Sequence, residues 1–529
     1  MNTHELVAAM SRPELYPHRP DEVRVVQTHI SYVFLAGDHV YKVKKAVRFS
    51  FLDFSTPQRR RHFCHEEVRL NRRLAKDVYL GVVAICEREG QYELGAEEDP
   101  DAIEWAVHMR RLPDDRTLDR LLERGEVTLE MIDTIADTLA RFHRGADSGP
   151  EVTANGDPEA IWRVLEDNYA NARPFRGVTV AAGDDDAIQR FARNFLVQHD
   201  ALLRRRQDEH RIRDCHGDLH TEHLCFSDSG LVIFDCIEFN QQFRYCDVAS
   251  ELAFLAMDLD YHEHPELAAR LLSRYAEAAD DAELPMLAPF YQCYRAYVRG
   301  KVDSLKSREP EVGEQERQEA EASARRHFLL AYRYTWAYQP GLVVICGLSG
   351  SGKSAVTAAL VRRTGYQAIN SDVVRKELAG LAATARVRAG YDEGLYAPER
   401  SAATYRAMIE RAAQGLRSGR GVILDATFQR RSDREAARAV AARVRVPFVL
   451  VECRCDEDEV RRRLQRRAHD SETPSDADWN VHVEQRRRFE AFTDGEIDRV
   501  ILDTTREVEE LTRKIEVSLR SKAATRPRG

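Results

Sequence analysis

At 529 residues, with 43% hydrophobic and 32% charged residues, the chain has the composition of a soluble folded protein and the length for two to four domains. A net charge of −9 argues against non-specific binding of nucleic acid or anionic membranes by the whole molecule. No apolar run reaches the roughly 18–20 residues of a membrane span. Residues 1–10 lack the basic and apolar regions of a signal peptide. The ten cysteines are scattered, several in apolar runs (Cys86, Cys225, Cys346), which predicts reduced thiols in a cytoplasmic protein.

In chain order, residues 21–45 alternate as paired strands do, with a Gly37-Asp38 turn before the strand that carries Lys42. Residues 57–76 predict a helix holding Glu66 and Glu67. More strand is expected at 81–86, 91–94 and 104–109, and one long helical stretch from about 117 to 143. Residues 158–206 and 247–305 are helical by pattern. Between them runs a hairpin-like passage, Cys215-His216-Gly-Asp218-Leu-His220-Thr-Glu222-His223, a Ser229-Gly230 turn, and Leu231-Val-Ile-Phe-Asp235. This is a sheet-rich lobe followed by a helix-rich lobe. The charged residues 306–328 predict a solvated helical connector or a surface helix closing the first domain. The domains are therefore placed at 1–305 and 338–529, with a connector at 306–337.

Two chemistries compete for the histidine-rich passage. His216, His220 and His223, with Cys215 nearby, could supply zinc ligands, although the spacing is not HExxH. Cys453-x-Cys455 lacks the spacing and second pair of a zinc site. Alternatively, His216-x-Asp218, a hairpin and a second aspartate resemble the aminoglycoside-phosphotransferase-like, protein-kinase-fold family across roughly 20–300. That resemblance implies that Asp218 orients and deprotonates an acceptor hydroxyl and that Asp235 holds Mg²⁺. It further implies that Lys42 contacts the α- and β-phosphates, that Glu67 (or its rival Glu66) pairs with Lys42, and that Asp247 braces the loop. Two positions depart from the family. Thr28-His-Ile-Ser-Tyr32 stands where a glycine-rich loop would cover the phosphates. His223 stands five residues after Asp218, where the family places a metal-binding asparagine. Mg²⁺ takes imidazole poorly, so one metal could be weak, bound through Glu222 or water, or absent, which leaves open a catalytic domain and a non-catalytic sensor.

The second domain opens on an apolar run, Leu342 to Cys346, read as a buried parallel strand. Gly347-Leu-Ser349-Gly350-Ser351-Gly352-Lys353-Ser354 and an alanine-rich helical pattern follow. Strand, glycine-rich loop and helix arrive in the order a triphosphate cradle needs. Backbone N–H groups line the loop, Lys353 reaches the β- and γ-phosphates, and the Ser354 hydroxyl holds Mg²⁺. Downstream, Asp372 is placed to accept a proton from an acceptor hydroxyl, with Arg375 one turn on; Ser371 or Asp372 reads equally as a helix N-cap. A buried strand delivers Asp425 to the sheet edge, where it could join the Mg²⁺ shell. Arg463 and Arg467 share a helix face suited to a lid over the transferring phosphoryl group.

Gly347 to Ser354, Ser371-Asp372-x-x-Arg375-Lys376, Asp425-Ala-Thr-Phe428 and Val460-x-x-Arg463-Leu-x-x-Arg467 together resemble the gluconate-kinase-like and zeta-toxin-like P-loop kinases over roughly 340–515. The resemblance implies transfer of the ATP γ-phosphate to a hydroxyl and leaves the acceptor open. The sequence thus predicts an α+β kinase-like bilobal domain followed by an α/β P-loop domain with a parallel sheet. The expected activity is ATP- and Mg²⁺-dependent phosphorylation of a small sugar- or aminoglycoside-like molecule. The alternatives are a P-loop kinase regulated by a non-catalytic sensor domain and a nucleic-acid-end kinase. An aminoglycoside, being a polycation, needs an acidic pocket, for which Asp258, Asp260, Glu263, Asp280 and Asp281 are candidates. A nucleic-acid partner ranks last, because the second domain is rich in arginine but offers few aromatics for stacking (Tyr391, Tyr396, Tyr405, Trp479).

Overall fold

A computed structural model describes residues 3–49, 51–310, 312–383, 385, 394–467 and 477–524. The chain divides into two units, Met1–Ala331 and Tyr332–Gly529.

The first unit begins with a six-stranded antiparallel sheet: β1 (Val23–Gln27), β2 (Ser31–Ala36), β3 (His39–Lys44), β4 (Tyr79–Arg88), β5 (Gln91–Gly95) and β6 (Ala102–Arg110). Its order is β1-β2-β3-β6-β4-β5. Strand alternation gives β3 two different faces. Tyr41 and Val43 join Phe34, Ile85 and Ala106 in one apolar cluster. Lys42 and Lys44 point to the other face, where helix α1 (Pro57–Asn71) packs Cys64 and Val68 against Val107. Thr56 caps α1 by accepting the Arg59 N–H, and Pro57 opens it with a preset φ.

The helical part of the first unit includes α2 (Leu129–Gly145), α3 (Val248–Tyr261), α4 (Leu284–Lys306) and α5 (Glu314–Tyr334). The single stretch expected over 117–143 is broken: a short helix, Leu118–Glu123, stops before Gly125 at φ +65°, and Thr128 caps α2. The charged residues of 306–328 form one face of a packed helix. On the other face of α5, Ala320, Ala324 and Phe328 are buried, and the Phe328 ring lies so close to Gly300 of α4 that a Cβ there would meet it at 3.0 Å. A hairpin, β7 (Leu224–Ser227) and β8 (Gly230–Ile233), leads into Asp235.

Buried histidines make the first unit acid-sensitive. His143 of α2 lies 2.8 Å from the Tyr275 hydroxyl, and burial pushes its imidazole down to about 3. Burial does the same for His216, also to about 3. The unfolded chain takes up protons at both rings near 6.5, so below that pH it binds more protons than the folded chain. This stability is therefore complete above pH 6.5 and is lost as the pH falls toward 3, by about 1.4 kcal/mol per pH unit for each ring. Urea midpoints at pH 7.5 and pH 5 should fall with pH, and His143→Phe should flatten the difference; a pH-independent midpoint would contradict the assignment.

The second unit is a five-stranded, fully parallel sheet: β9 (Leu342–Cys346), β10 (Gln367–Asn370), β11 (Val422–Asp425), β12 (Phe448–Arg454) and β13 (Val500–Asp503), in the order β10-β11-β9-β12-β13. All five residues of β9 are buried, as expected for a central strand covered on both faces. The register pairs Asp425 with both Ile345 and Asn370, which sets the strand ends beside the glycine-rich loop. All ten cysteines are unpaired. Among the described residues, no helix is long and apolar enough to cross a membrane.

Candidate active sites

In the first unit, a cavity of about 920 Å³ opens between the β2–β3 strands and helix α4. Lys42, Asp218 and Asp235 all line it. Lys42 Nζ lies 2.6 Å from Asp235 Oδ1 and 2.9 Å from Glu67 Oε1. Lys44 donates to Glu67 Oε2 at 2.6 Å and also to Glu238. Between Glu66 and Glu67 the geometry therefore selects Glu67, which is fully buried, while Glu66 pairs with Arg69 at 2.7 Å. Burial would lower the Lys42 pKa, but Asp235 and Glu67 outweigh it and hold the amine charged. Sequence reading missed Lys44 and Glu238, although the spacing Lys42-Val-Lys44 already places both lysines on one strand face.

Glu67 is the shared anion of two buried cations. Glu67→Ala should destabilise the first unit by about 1.5–3 kcal/mol, because each amine loses one of its two carboxylates and keeps only Asp235 or Glu238. Thermal or urea unfolding measures this, and a loss below about 1 kcal/mol would mean that Asp235 and Glu238 suffice.

Three amides at the Thr28 turn are engaged locally. Thr28 Oγ1 accepts the Ser31 N–H at 3.0 Å and the Ile30 N–H at 3.4 Å, while Thr28 N donates to Ser31 O at 2.9 Å. With these groups engaged, the cationic grip offered by this wall of the cavity comes from Lys42.

The loop carrying Asp218 is held from α3. The backbone N–H groups of His216 and Gly217 donate to Glu251 at 2.6 and 3.1 Å, and Gly217 adopts φ +89° against the Phe243 carbonyl. The bracing expected of Asp247 thus falls to Glu251, one helical turn on. Asp247 instead caps α3 and forms a buried ion pair with Arg206 at 2.7 Å.

His216 Nε2 lies 2.8 Å from Phe234 O, and the buried Cys215 thiol faces Cys246 O at 3.7 Å. The zinc set of His216, His220, His223 and Cys215 is therefore not assembled. The histidines that gather are His220 and His223, around Asp218, with each nearest ring nitrogen 3.6 Å from Asp218 Oδ2. Burial would raise the Asp218 carboxyl, but His220 and then His223 outweigh it and hold the pKa well below the ordinary carboxylate range. Asp235 is likewise kept ionised against burial, chiefly by Lys42.

None of the five acids proposed for a polycation lines this cavity. Asp258 accepts the Thr221 N–H and hydroxyl at 2.8 and 2.6 Å, and Asp281 is bound by Arg206 at 2.7 Å. The lining includes Phe49, Phe51, Phe239, Phe243 and Arg299 beside six other carboxylates, among them Asp218, Asp235 and Glu238. The Phe49 and Phe51 rings stack at 5.7 Å, and each is 45% exposed, an apolar wall left open to solvent.

In the second unit, Gly347, Gly350 and Gly352 adopt φ of +144°, +82° and +86°. A Cβ at Gly347 would lie 2.7 Å from Cys453 O, so the loop tolerates only glycine there. The buried Ser351 Oγ has no partner, and a cavity of about 350 Å³ lies beside Gly350, Gly352 and Ser354. These features fit a bound phosphate chain. Ser354 Oγ and Asn370 Nδ2 lie 3.3 and 3.1 Å from Asp425 Oδ2, and burial raises the Asp425 pKa despite Lys353. Hydroxyl and carboxylate oxygens side by side fit the oxygen preference of Mg²⁺.

Lys353 Nζ donates to Leu348 O at 3.0 Å. Ser349 is engaged on both sides by a helix that sequence reading did not connect with the site: its N–H donates to Gln485 at 2.9 Å, and its carbonyl lies 2.8 Å from His482 Nδ1. Asn370 caps the helix Ser371–Leu378, not Ser371 or Asp372. The Asp372 carboxylate is thereby free of capping and accepts from Arg375 Nη1 at 2.5 Å. Arg463 is tied to Thr504 at 2.8 and 3.1 Å and stands against Gly352, lining the small cavity. The side chain of Arg467 and residue Tyr391 lie outside the described residues.

Residues 36–288 match the phosphotransferase enzyme family, and residues 342–492 match an AAA domain family. An uncharacterized protein of Mycobacterium tuberculosis and one of Mycobacterium bovis are each 31% identical over 446 residues, 84% of this chain and 86% of theirs. Among solved structures, a gluconokinase from Sinorhizobium meliloti is 23% identical, covering 35% of this chain and 95% of its own, with a TM-score of 0.26. The Mycobacterium tuberculosis APS kinase CysC in complex with AMPPNP and APS is 20% identical, covering 34% and 98%, with a TM-score of 0.24.

Proposed function

We propose that this chain, which belongs to the same family as the two mycobacterial proteins and joins a phosphotransferase-family domain to an AAA-type P-loop domain, transfers the γ-phosphoryl group of ATP to a hydroxyl of a small molecule. The observation that carries this reading is the glycine cradle of the second unit, with Lys353 at its mouth, Ser354 beside Asp425, and Asp372 free of the capping role.

In that unit, backbone N–H groups of the loop and Lys353 grip the phosphates, and Asp372 accepts the acceptor's hydroxyl proton. The acceptor oxygen forms its bond to phosphorus as the bond to the ADP oxygen breaks, and Arg375, paired with Asp372, and Arg463, against Gly352, would meet the developing charge. Mg²⁺ would be held by Ser354 and Asp425 and would supply neutralisation of the phosphate oxygens. In the first unit, Lys42, oriented by Glu67, meets the α- and β-phosphates, while Asp218 orients the acceptor hydroxyl.

The aromatic wall supports an acceptor with an apolar face in the first unit, and Asp258 and Asp281, being occupied, offer no free charge to a polycationic aminoglycoside. The unpaired, mostly buried cysteines support a cytoplasmic setting. The test is ADP release and product formation from ATP over sugars, hydroxylated aromatic acids, aminoglycosides and nucleic-acid ends. Absence of both nucleotide binding and turnover would end the proposal, and preference for an aminoglycoside would reverse the acceptor reading.

A further inference from the structure

His223 places a nitrogen where an oxygen ligand would suit Mg²⁺, and its surroundings aim that nitrogen. Its Nδ1 lies 2.9 Å from the backbone oxygen of Asp218. A carbonyl only accepts, so Nδ1 carries the proton and donates, and in the neutral ring Nε2 keeps its lone pair. Nε2 in turn lies 3.6 Å from Asp235 Oδ2. The other carboxylate oxygen of Asp235 is taken by Lys42 at 2.6 Å, which leaves Oδ2 for a different partner. Asp235 holds φ +61°, a left-handed conformation that costs a non-glycine residue about 1 kcal/mol or more and aims this carboxylate at the ring.

A nitrogen lone pair facing a carboxylate oxygen is repulsive unless something positive lies between them. Two ligands on one tetrahedral ion with bonds of roughly 2.1 Å lie about 3.4 Å apart, close to the 3.6 Å found here. Asp218 and His220 stand beside His223, with one ligand atom of each of the three within 4.8 Å of the others, a group separate from Asp235. Imidazole nitrogen binds first-row transition cations more readily than it binds Mg²⁺, with Co²⁺ ahead of Mn²⁺ in the Irving–Williams order.

We propose that the cleft of the first unit binds a first-row transition cation of the Mn²⁺ or Co²⁺ class in preference to Mg²⁺, through His223 Nε2 and Asp235 Oδ2. The proposal rests on the phosphotransferase reading only for the nucleotide that would accompany the ion.

The test uses the full chain carrying Asp425→Asn, which removes the carboxylate of the second unit's Ser354 pair. Mn²⁺ binding is followed by the electron paramagnetic resonance of the free ion, Co²⁺ by its visible absorption, and Mg²⁺ is added as competitor. Mn²⁺ should resist an excess of Mg²⁺ of about tenfold, and His223→Asn should weaken Mn²⁺ by about 10–100-fold and erase the preference. His223→Gln serves as a second variant, and circular dichroism checks that both fold; if neither does, the competition in the His223 parent decides alone. Displacement by equimolar Mg²⁺, no Mn²⁺ binding because a proton bridges the pair, or unchanged Mn²⁺ affinity in folded variants would each overturn the proposal. A fluorescent ATP analogue is titrated into the same samples. Mn²⁺ preference without nucleotide binding would refute the phosphotransferase reading of this cleft and leave the metal site standing, and nucleotide binding without Mn²⁺ preference would do the reverse.

Discussion

Lys353→Ala is expected to lower phosphoryl transfer by the second unit roughly 10²–10³-fold or more, the loss that follows removal of one preorganised donor from a developing charge. The lysine sits at the start of the helix Lys353–Thr364, and the contact the fold would lose is its hydrogen bond to Leu348 O. One such charge-assisted bond contributes about 1.5–3 kcal/mol, so the unfolding midpoint should fall only modestly. Fold and activity are thereby separable, as they would not be for Gly347→Ala, where the new Cβ collides with Cys453 O. The measurement is kcat for ADP release beside a denaturation curve. A loss of less than about tenfold, with the fold intact, would place most turnover in the first unit.

The cradle was legible in the sequence because its parts are contiguous. A strand, a loop needing left-handed glycines and a helix N-terminus are local backbone features, and local features leave a local pattern. Lys42 and Asp235 are 193 positions apart, and their meeting depends on a sheet and a hairpin converging. A family resemblance suggested each residue separately, but the choice of Glu67 over Glu66 required the helix rotation. Glu251 was missed because Asp247 matched a pattern in sequence, whereas the loop amides needed a carboxylate one turn deeper in α3. Asn370 was missed because Ser371 and Asp372 are as good caps by composition, and only the start of the helix separates them. Two of the acids offered for a polycation, Asp258 and Asp281, are already taken, and charge in a sequence does not reveal whether Arg206 or a threonine occupies it.

Asp218→Ala, introduced into the Lys353→Ala chain so that the first unit is read alone, is expected to reduce the remaining transfer by about 10²–10⁴-fold. ATP binding should persist, because Lys42, Glu67 and Asp235 keep their contacts. The carboxyl is held well below the ordinary range by His220 and His223 against burial. A carboxylate that is so weak a base contributes mainly by orienting the acceptor hydroxyl, and it stays ionised throughout the neutral range. The first unit's rate should therefore show no titration of Asp218 between pH 6 and 9. His220→Ala, which removes the stronger of the two imidazole influences, should raise the Asp218 pKa and move any acid limb of the profile upward. If instead the Lys353→Ala chain has no transfer left to lose yet still binds ATP in the first unit, the cleft is a sensor. The chemistry then belongs to the P-loop alone, and the ion held at His223 serves nucleotide recognition rather than transfer.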